Sequence, residues 1–266
     1  MENEFVSPFE WKGNIKRVEY RRFHVCDEKT LESSELEFDE NGQIMKCVES
    51  QYGRVERTAT YEYNDKKQLI KKKEKSFFGV VDEVTEFIYD SEGRLIEKVA
   101  YFNSKIQHDE AESEFTSRVV YEYNTEGKLI KEYKYRGDEF RGENVYVYDE
   151  SGRVKEIHYG GDWGDYAPSV RFFTYNSKGD IESIRQCEDA TKLDEYLELS
   201  KFEYDAEGKV TLRTNYPYYR VAISSKDLVR NEYIVYSYDD HGNVISAQEK
   251  IGGEISYKAE WKIEYY

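Results

Sequence analysis

Proline and cysteine are scarce in this sequence, with three of each in 266 residues. The cysteines (Cys26, Cys47, Cys187) are odd in number, far apart and form no CxxC pair. That speaks against a disulfide framework and for a reducing compartment. No run of 18 apolar residues occurs, which excludes a helical membrane span. The first eight residues lack a basic stretch followed by an apolar one, so no secretory signal is expected and a cytoplasmic location is. Positive charge is in deficit: 39 Lys and Arg face 55 Asp and Glu, for a formal charge of −16. Phosphate recognition needs cations, so nucleic acid and anionic membranes are disfavoured as partners. The same charge suits steering a basic protein, and equally suits plain solubility.

The chemistry-bearing motifs are thin as well. The four histidines (His24, His108, His158, His241) fall in no HxxxH or HExxH setting, and no GxxxxGK[ST] loop exists. His24 and Cys26 are expected to share one face of a strand as packing neighbours. The reading is of a non-enzyme with no catalytic residue, no metal and no cofactor.

Tyrosine, by contrast, is abundant: 26 residues in a chain that is only 38% hydrophobic. A buried Tyr ring needs its hydroxyl solvated or hydrogen-bonded, which favours a thin sheet over a deep globule. The tyrosines recur on a schedule, aromatic-x-aromatic-[Asp/Asn]-x-x-Gly-x-aliphatic. Tyr121-Glu122-Tyr123-Asn124 leads through Gly127 to Leu129, and Phe202-Glu203-Tyr204-Asp205 through Gly208 to Val210. The aromatic anchors fall at 9, 38, 63, 89, 123, 148, 175, 204, 238 and 265. Each turn position is Gly except Lys67, and each is followed two residues later by an aliphatic residue.

Each position has a physical reason. Anchor and anchor-minus-two share a strand face, because side chains alternate. The Asp or Asn accepts backbone N–H groups and starts a turn. Gly supplies the positive φ that closes a hairpin loop, where Lys67 costs roughly 1 kcal/mol more. The unit is therefore a β-hairpin. About nine units predict an all-β fold of one long, strongly curled antiparallel sheet of 18 to 20 strands: a trough, a spiral or a partly closed wall. Residues 1–266 are expected to form a single domain with atypical caps, a worn first copy at Phe9–Ile15 and a truncated last one at Ile263–Tyr265.

The nearly whole units Tyr89-Asp90-Ser91-Glu92-Gly93-Arg94-Leu95 and Tyr148-Asp149-Glu150-Ser151-Gly152-Arg153-Val154 resemble the YD repeat of Rhs proteins, insecticidal-toxin shells and teneurins. In those families the repeats wind around a hollow that encloses a toxin polypeptide. This chain is shorter than such a shell and shows no appended toxin. The resemblance therefore implies a free-standing, cytoplasmic immunity-type protein that covers a basic toxin domain. The alternative is a structural shell or surface-array fragment. A monomer is favoured.

Because the regular positions are scaffold, partner contacts are sought where the period breaks. In the segment from Gly160 to Pro168, Trp163 and Tyr166 beside Asp162 and Asp165 could anchor a basic patch, or fold back as a long turn. Tyr216, Tyr218 and Tyr219 form a second aromatic cluster in a lengthened unit. The acidic run Asp109, Glu110, Glu112 and Glu114 reads as a solvated loop.

Overall fold

The computed structural model describes residues 11–26, 28–76, 81–105, 112–161, 168–187, 197–215, 232–251 and 253–266. They form 18 strands: β1 Ile15–His24, β2 Thr30–Phe38, β3 Ile44–Gln51, β4 Arg54–Tyr63, β5 Leu69–Ser76 and β6 Val81–Tyr89. Next come β7 Leu95–Lys105, β8 Glu112–Tyr123, β9 Leu129–Arg136, β10 Glu139–Tyr148, β11 Val154–Tyr159 and β12 Ser169–Tyr175. The last six are β13 Ile181–Cys187, β14 Leu197–Tyr204, β15 Val210–Asn215, β16 Glu232–Tyr238, β17 Val244–Ile251 and β18 Glu254–Tyr265.

Every strand pairs antiparallel with its sequence neighbour, and β1 also pairs with β18, from Ile15 opposite Tyr265 to His24 opposite Tyr257. The curled sheet expected from the repeats is thus a closed barrel of hairpins. The worn first and truncated last copies meet each other across this seam instead of capping two separate ends.

The turn chemistry explains one rim. Asp39 Oδ1 accepts the N–H groups of Asn41 and Gln43, and Gly42 donates to the Asp39 carbonyl. The same pattern recurs at Asn64, Asp90, Asn124, Asn176 and Asp239. Lys67 takes the left-handed conformation its place demands, with φ 62. Each of these hairpins carries a bulge just before the anchor, as between Glu37 and Phe38, so the loop is a type I turn closed by a left-handed residue.

The anchor tyrosines then stitch hairpin to hairpin. Tyr63, Tyr89, Tyr123, Tyr148, Tyr175, Tyr204 and Tyr238 each donate O–H to the carbonyl that opens the preceding unit's return strand, at 2.6–2.9 Å. These bonds answer the tyrosine-rich composition: each ring is half-buried and its hydroxyl is satisfied. Arg94, Lys128, Arg153 and Lys209 lie over the next anchor ring, 4.3–5.6 Å from its centre.

The two faces of the sheet differ. One carries Val18, Tyr20, Leu36, Cys47, Ala59, Ala247, Ala259 and Trp261, all buried, with Tyr20 and Trp261 in ring contact at 5.1 Å. The other carries half-exposed ion pairs such as Lys16–Glu264, Arg21–Glu260 and Lys73–Glu62. Curvature shelters the concave side of a single-layer barrel, so this apolar face is the inward one; between β12 and β13 the outward face also holds buried residues, Val170, Ser183 and Cys187. An outward face of this kind is the reverse of the apolar band that a lipid-facing barrel presents. Many of the most buried residues are small (Ser34, Ala59, Thr85, Ala100, Ser200), sheltered by half-buried neighbours rather than by a second layer. The wall is thin.

Two expectations need correction. Cys26 lies in the turn after β1, not on a strand face with His24, because β1 ends at His24. Glu112 and Glu114 belong to β8, paired with Lys105 and Asn103, so that lengthened unit grows partly by longer strands. Asp109 and Glu110 lie outside the described residues.

Candidate functional site

The two rims of the barrel are unlike. On the rim of Asp and Asn turns, all eight connections span five residues, from 39–43 to 239–243. On the other rim the nine connections range from two residues (52–53, 137–138, 252–253) to sixteen (216–231). The three longest, 160–168, 188–196 and 216–231, leave consecutive hairpins between β11 and β16. The outer two of these are four strands apart, about 19 Å at 4.8 Å per strand.

The residues singled out from the sequence belong to these connections. Asp162, Trp163, Asp165 and Tyr166 stand in the first, and Tyr216, Tyr218 and Tyr219 in the third; all seven lie outside the described residues. Their connections start from the same rim of the same arc.

Beneath this arc, the inward wall is polar. The pairing register places Glu132, Asn144 and Tyr159 in one row, Arg171 and Gln186 in the row of Ile157, and Ser200 and Asn215 in the row of Ile184. Glu132 accepts from Tyr146 O–H (2.7 Å) and Asn144 Nδ2 (2.8 Å), and Lys134 Nζ donates to Asn144 Oδ1 (3.1 Å). The Arg171 guanidinium sits 5.2 Å from the Tyr159 ring centre, and Ser200 Oγ donates to Asn215 Oδ1 at 3.0 Å. Burial pushes the Tyr146 hydroxyl far above its ordinary range, and the Glu132 carboxylate adds to this. Burial also raises Tyr159 and lowers the Lys134 ammonium, the latter against the pull of Glu132.

This lining offers donors, acceptors and aromatic surface, a binding chemistry. Among the described residues no group of three metal-ligating side chains occurs. The described histidine nearest this arc, His158, bonds Glu156 at 2.9 Å on the outward face.

The polar wall escaped the motif reading, yet a signal was present. Aligned four residues before each anchor stand Ser34, Ala59, Thr85, Val119, Asn144, Arg171, Ser200, Ile234 and Trp261. Small residues suit a crowded inward position, so Arg171 and Asn144 are the polar departures. On the same variable rim, Tyr52 was also missed. It is 62% exposed with φ 49 in a two-residue turn where Asn would be easier, and Phe140 is exposed beside another short turn.

No family model and no curated protein matches this chain. Among solved structures, it is similar to a porin-like protein from Bacteroides uniformis at 14% identity, covering 96% of this chain and 99% of that one, with a TM-score of 0.46. It is also similar to the Tc holotoxin pore of Photorhabdus luminescens at 12% identity and a TM-score of 0.27, covering 92% of this chain but 15% of that one. Neither likeness bears on what this chain does.

Proposed function

We propose that this chain is a non-catalytic, cytoplasmic protein-binding module of the YD-repeat kind, and that it neutralises a cognate bacterial toxin domain by covering it. One observation carries the reading. The three longest connections leave one rim side by side, above a polar inward wall, while the opposite rim is uniform. Variation confined to one edge of a repeat array marks the edge that meets a partner. The charge of −16 supports a basic partner. Contacts are assigned to Asp162, Trp163, Asp165, Tyr166, Tyr216, Tyr218 and Tyr219, together with Arg171 and its neighbours on the inward wall of the same arc.

The shell or surface-array reading is weaker. Arrays of sheet grow by edge pairing, and in the closed ring each described strand has two neighbours. Light scattering should show a monomer.

The test is capture of a partner from the native host at low salt. The bait is wild type, a variant with 216–231 replaced by Asn-Gly, and a control with Asp65→Ala in a five-residue turn. One basic protein retained by wild type and control but lost by the shortened variant supports the reading, provided that protein arrests growth unless this chain is co-expressed. Equal retention by all three baits, or a captured protein that is harmless alone, would sink it.

A further inference from the structure

Among the described strands, β1 and β18 are the only neighbouring pair that is not consecutive in the chain. They nevertheless meet as the two halves of a ninth hairpin. In the other eight, the residue after the anchor donates its N–H to the residue after the turn position, as Asp39 N–H does to the Gln43 carbonyl at 2.9 Å. At the seam Tyr266 N–H makes the same bond to the Asn14 carbonyl, also 2.9 Å, and Gly13 has the turn's positive φ of 89. Residues 11–14 thus stand where a loop's second half would be, without a covalent first half.

Side chains replace the missing link. Asn243 is 1% exposed and grips the backbone of residue 12 at two points: Lys12 N–H donates to its Oδ1 (2.7 Å), and its Nδ2 donates to the Lys12 carbonyl (2.8 Å). That amide also donates to the Tyr265 hydroxyl (2.9 Å), which in turn donates to Asp239 Oδ2 (2.6 Å). In the regular units the anchor hydroxyl goes to a backbone carbonyl instead, so this relay belongs to the seam. Tyr266 O–H reaches across to the Phe38 carbonyl at 2.7 Å, and Trp11 packs against the apolar core. Gln43 and Gln68, at the position equivalent to Asn243, each donate once to the next turn's carbonyl. Asn243 extends that contact into a two-point clasp, as a neighbouring strand would.

We propose that residues 11–14 are a strap that latches the barrel, and that undoing it frees β1 from β18 as a local unit. Elsewhere a covalent connection holds every adjacent pair. Here separation breaks no chain link: it needs the release of hydrogen bonds, of the apolar contact between Tyr20 and Trp261, and of half-exposed ion pairs such as Lys16–Glu264 and Arg21–Glu260, each of these pairs of small worth in water. Opening would uncover the inward wall without breaking a hairpin, which makes the seam the door to the interior. The inference stands whether or not the toxin-binding reading does.

Native-state hydrogen exchange tests it on the full chain. In Asn243→Ala the amides of β1 and β18 should exchange about tenfold faster or more, while those paired between β8 and β9 keep their wild-type rates. Tyr266→Phe should act in the same direction and less strongly. Equal acceleration in β8 and β9, or no change in β1 and β18, would overturn the proposal. Should Asn243→Ala not fold, wild type in rising urea decides: β1 and β18 must open below the concentration that opens β8 and β9, and a shared midpoint refutes the latch.

Discussion

The seam arc and the arc opposite it are made of the same hairpin, yet they use it differently. From β16 through β18 and β1 to β4, the inward positions hold Ile234, Ala247, Trp261, Tyr20, Val18, Leu36 and Cys47, and the described variable-rim connections there span two to five residues. From β9 to β15 the same positions hold Glu132, Asn144, Arg171, Ser200 and Arg213, and connections of nine and sixteen residues adjoin them. One arc concentrates apolar burial on its inward positions; the other lines the same inward positions with polar groups, its buried Val170 and Cys187 lying on the opposite face. A repeat array can separate holding from contacting because each hairpin depends chiefly on its neighbours.

The largest effect should come from cutting the apolar arc. Leu36→Ala removes a side chain that is 3% exposed and should cost about 2–4 kcal/mol in urea unfolding. Arg171→Gln on the polar arc should change stability by less than about 1 kcal/mol and weaken capture of the partner. Comparable losses of stability would erase the distinction between the arcs.

The polar arc is not uniformly tolerant. Gly142 and Gly161 approach so closely that a Cβ on Gly142 would lie 2.2 Å from the Gly160 carbonyl oxygen. Gly142→Ala must displace β10 or the chain beside it, at about 1–3 kcal/mol, measured by the same unfolding assay. A neutral result would mean that the stems of the long connections are not fixed.

Anchor hydroxyls should matter alike on both arcs. Tyr63→Phe and Tyr175→Phe each remove one bond to a carbonyl, at Ile44 and Val154, and should each cost about 1 kcal/mol. A clear difference between them would show that the stitching is uneven.

The smallest effect is on pH dependence. The carboxyls of Asp39, Asp90, Asp149 and Asp205 lie below the usual range because each accepts backbone N–H groups, first from Gln43, Arg94, Arg153 and Lys209. Asp239 is lowered too: burial pushes it up, but the Tyr265 hydroxyl and the Asn243 N–H outweigh this. A depressed folded pKa stabilises above the unfolded value, about 3.9 for Asp, and that contribution is lost as pH falls through the folded value. Stability should therefore hold steady at neutral pH and decline below about pH 4. Replacing the four by Asn, which already serves at Asn64, Asn124 and Asn176, should flatten the acid limb. An unchanged acid limb would place the sensitivity elsewhere.

The hairpins were legible because their cause is local. An Asp or Asn, a Gly three residues on and an anchor before them fix the loop within five residues, even where Lys67 stands for Gly. Closure was not legible, since whether β1 meets β18 depends on curvature accumulated over the whole sheet. The contact Asn243 makes to Lys12 spans 231 positions, and nothing near either residue announces it. The polar wall was half legible: Arg171 interrupts a register of mostly small residues, but only an alignment of the units on their anchors shows it. Tyr52 was hidden by its brevity, since a two-residue turn does not break the period.

The most direct test of the central claim is a hydrogen-exchange footprint of the captured partner on this barrel. Slowed exchange at the stems of 160–168, 188–196 and 216–231 is the predicted result. Protection confined to the five-residue turns, or to β1 and β18, would contradict it.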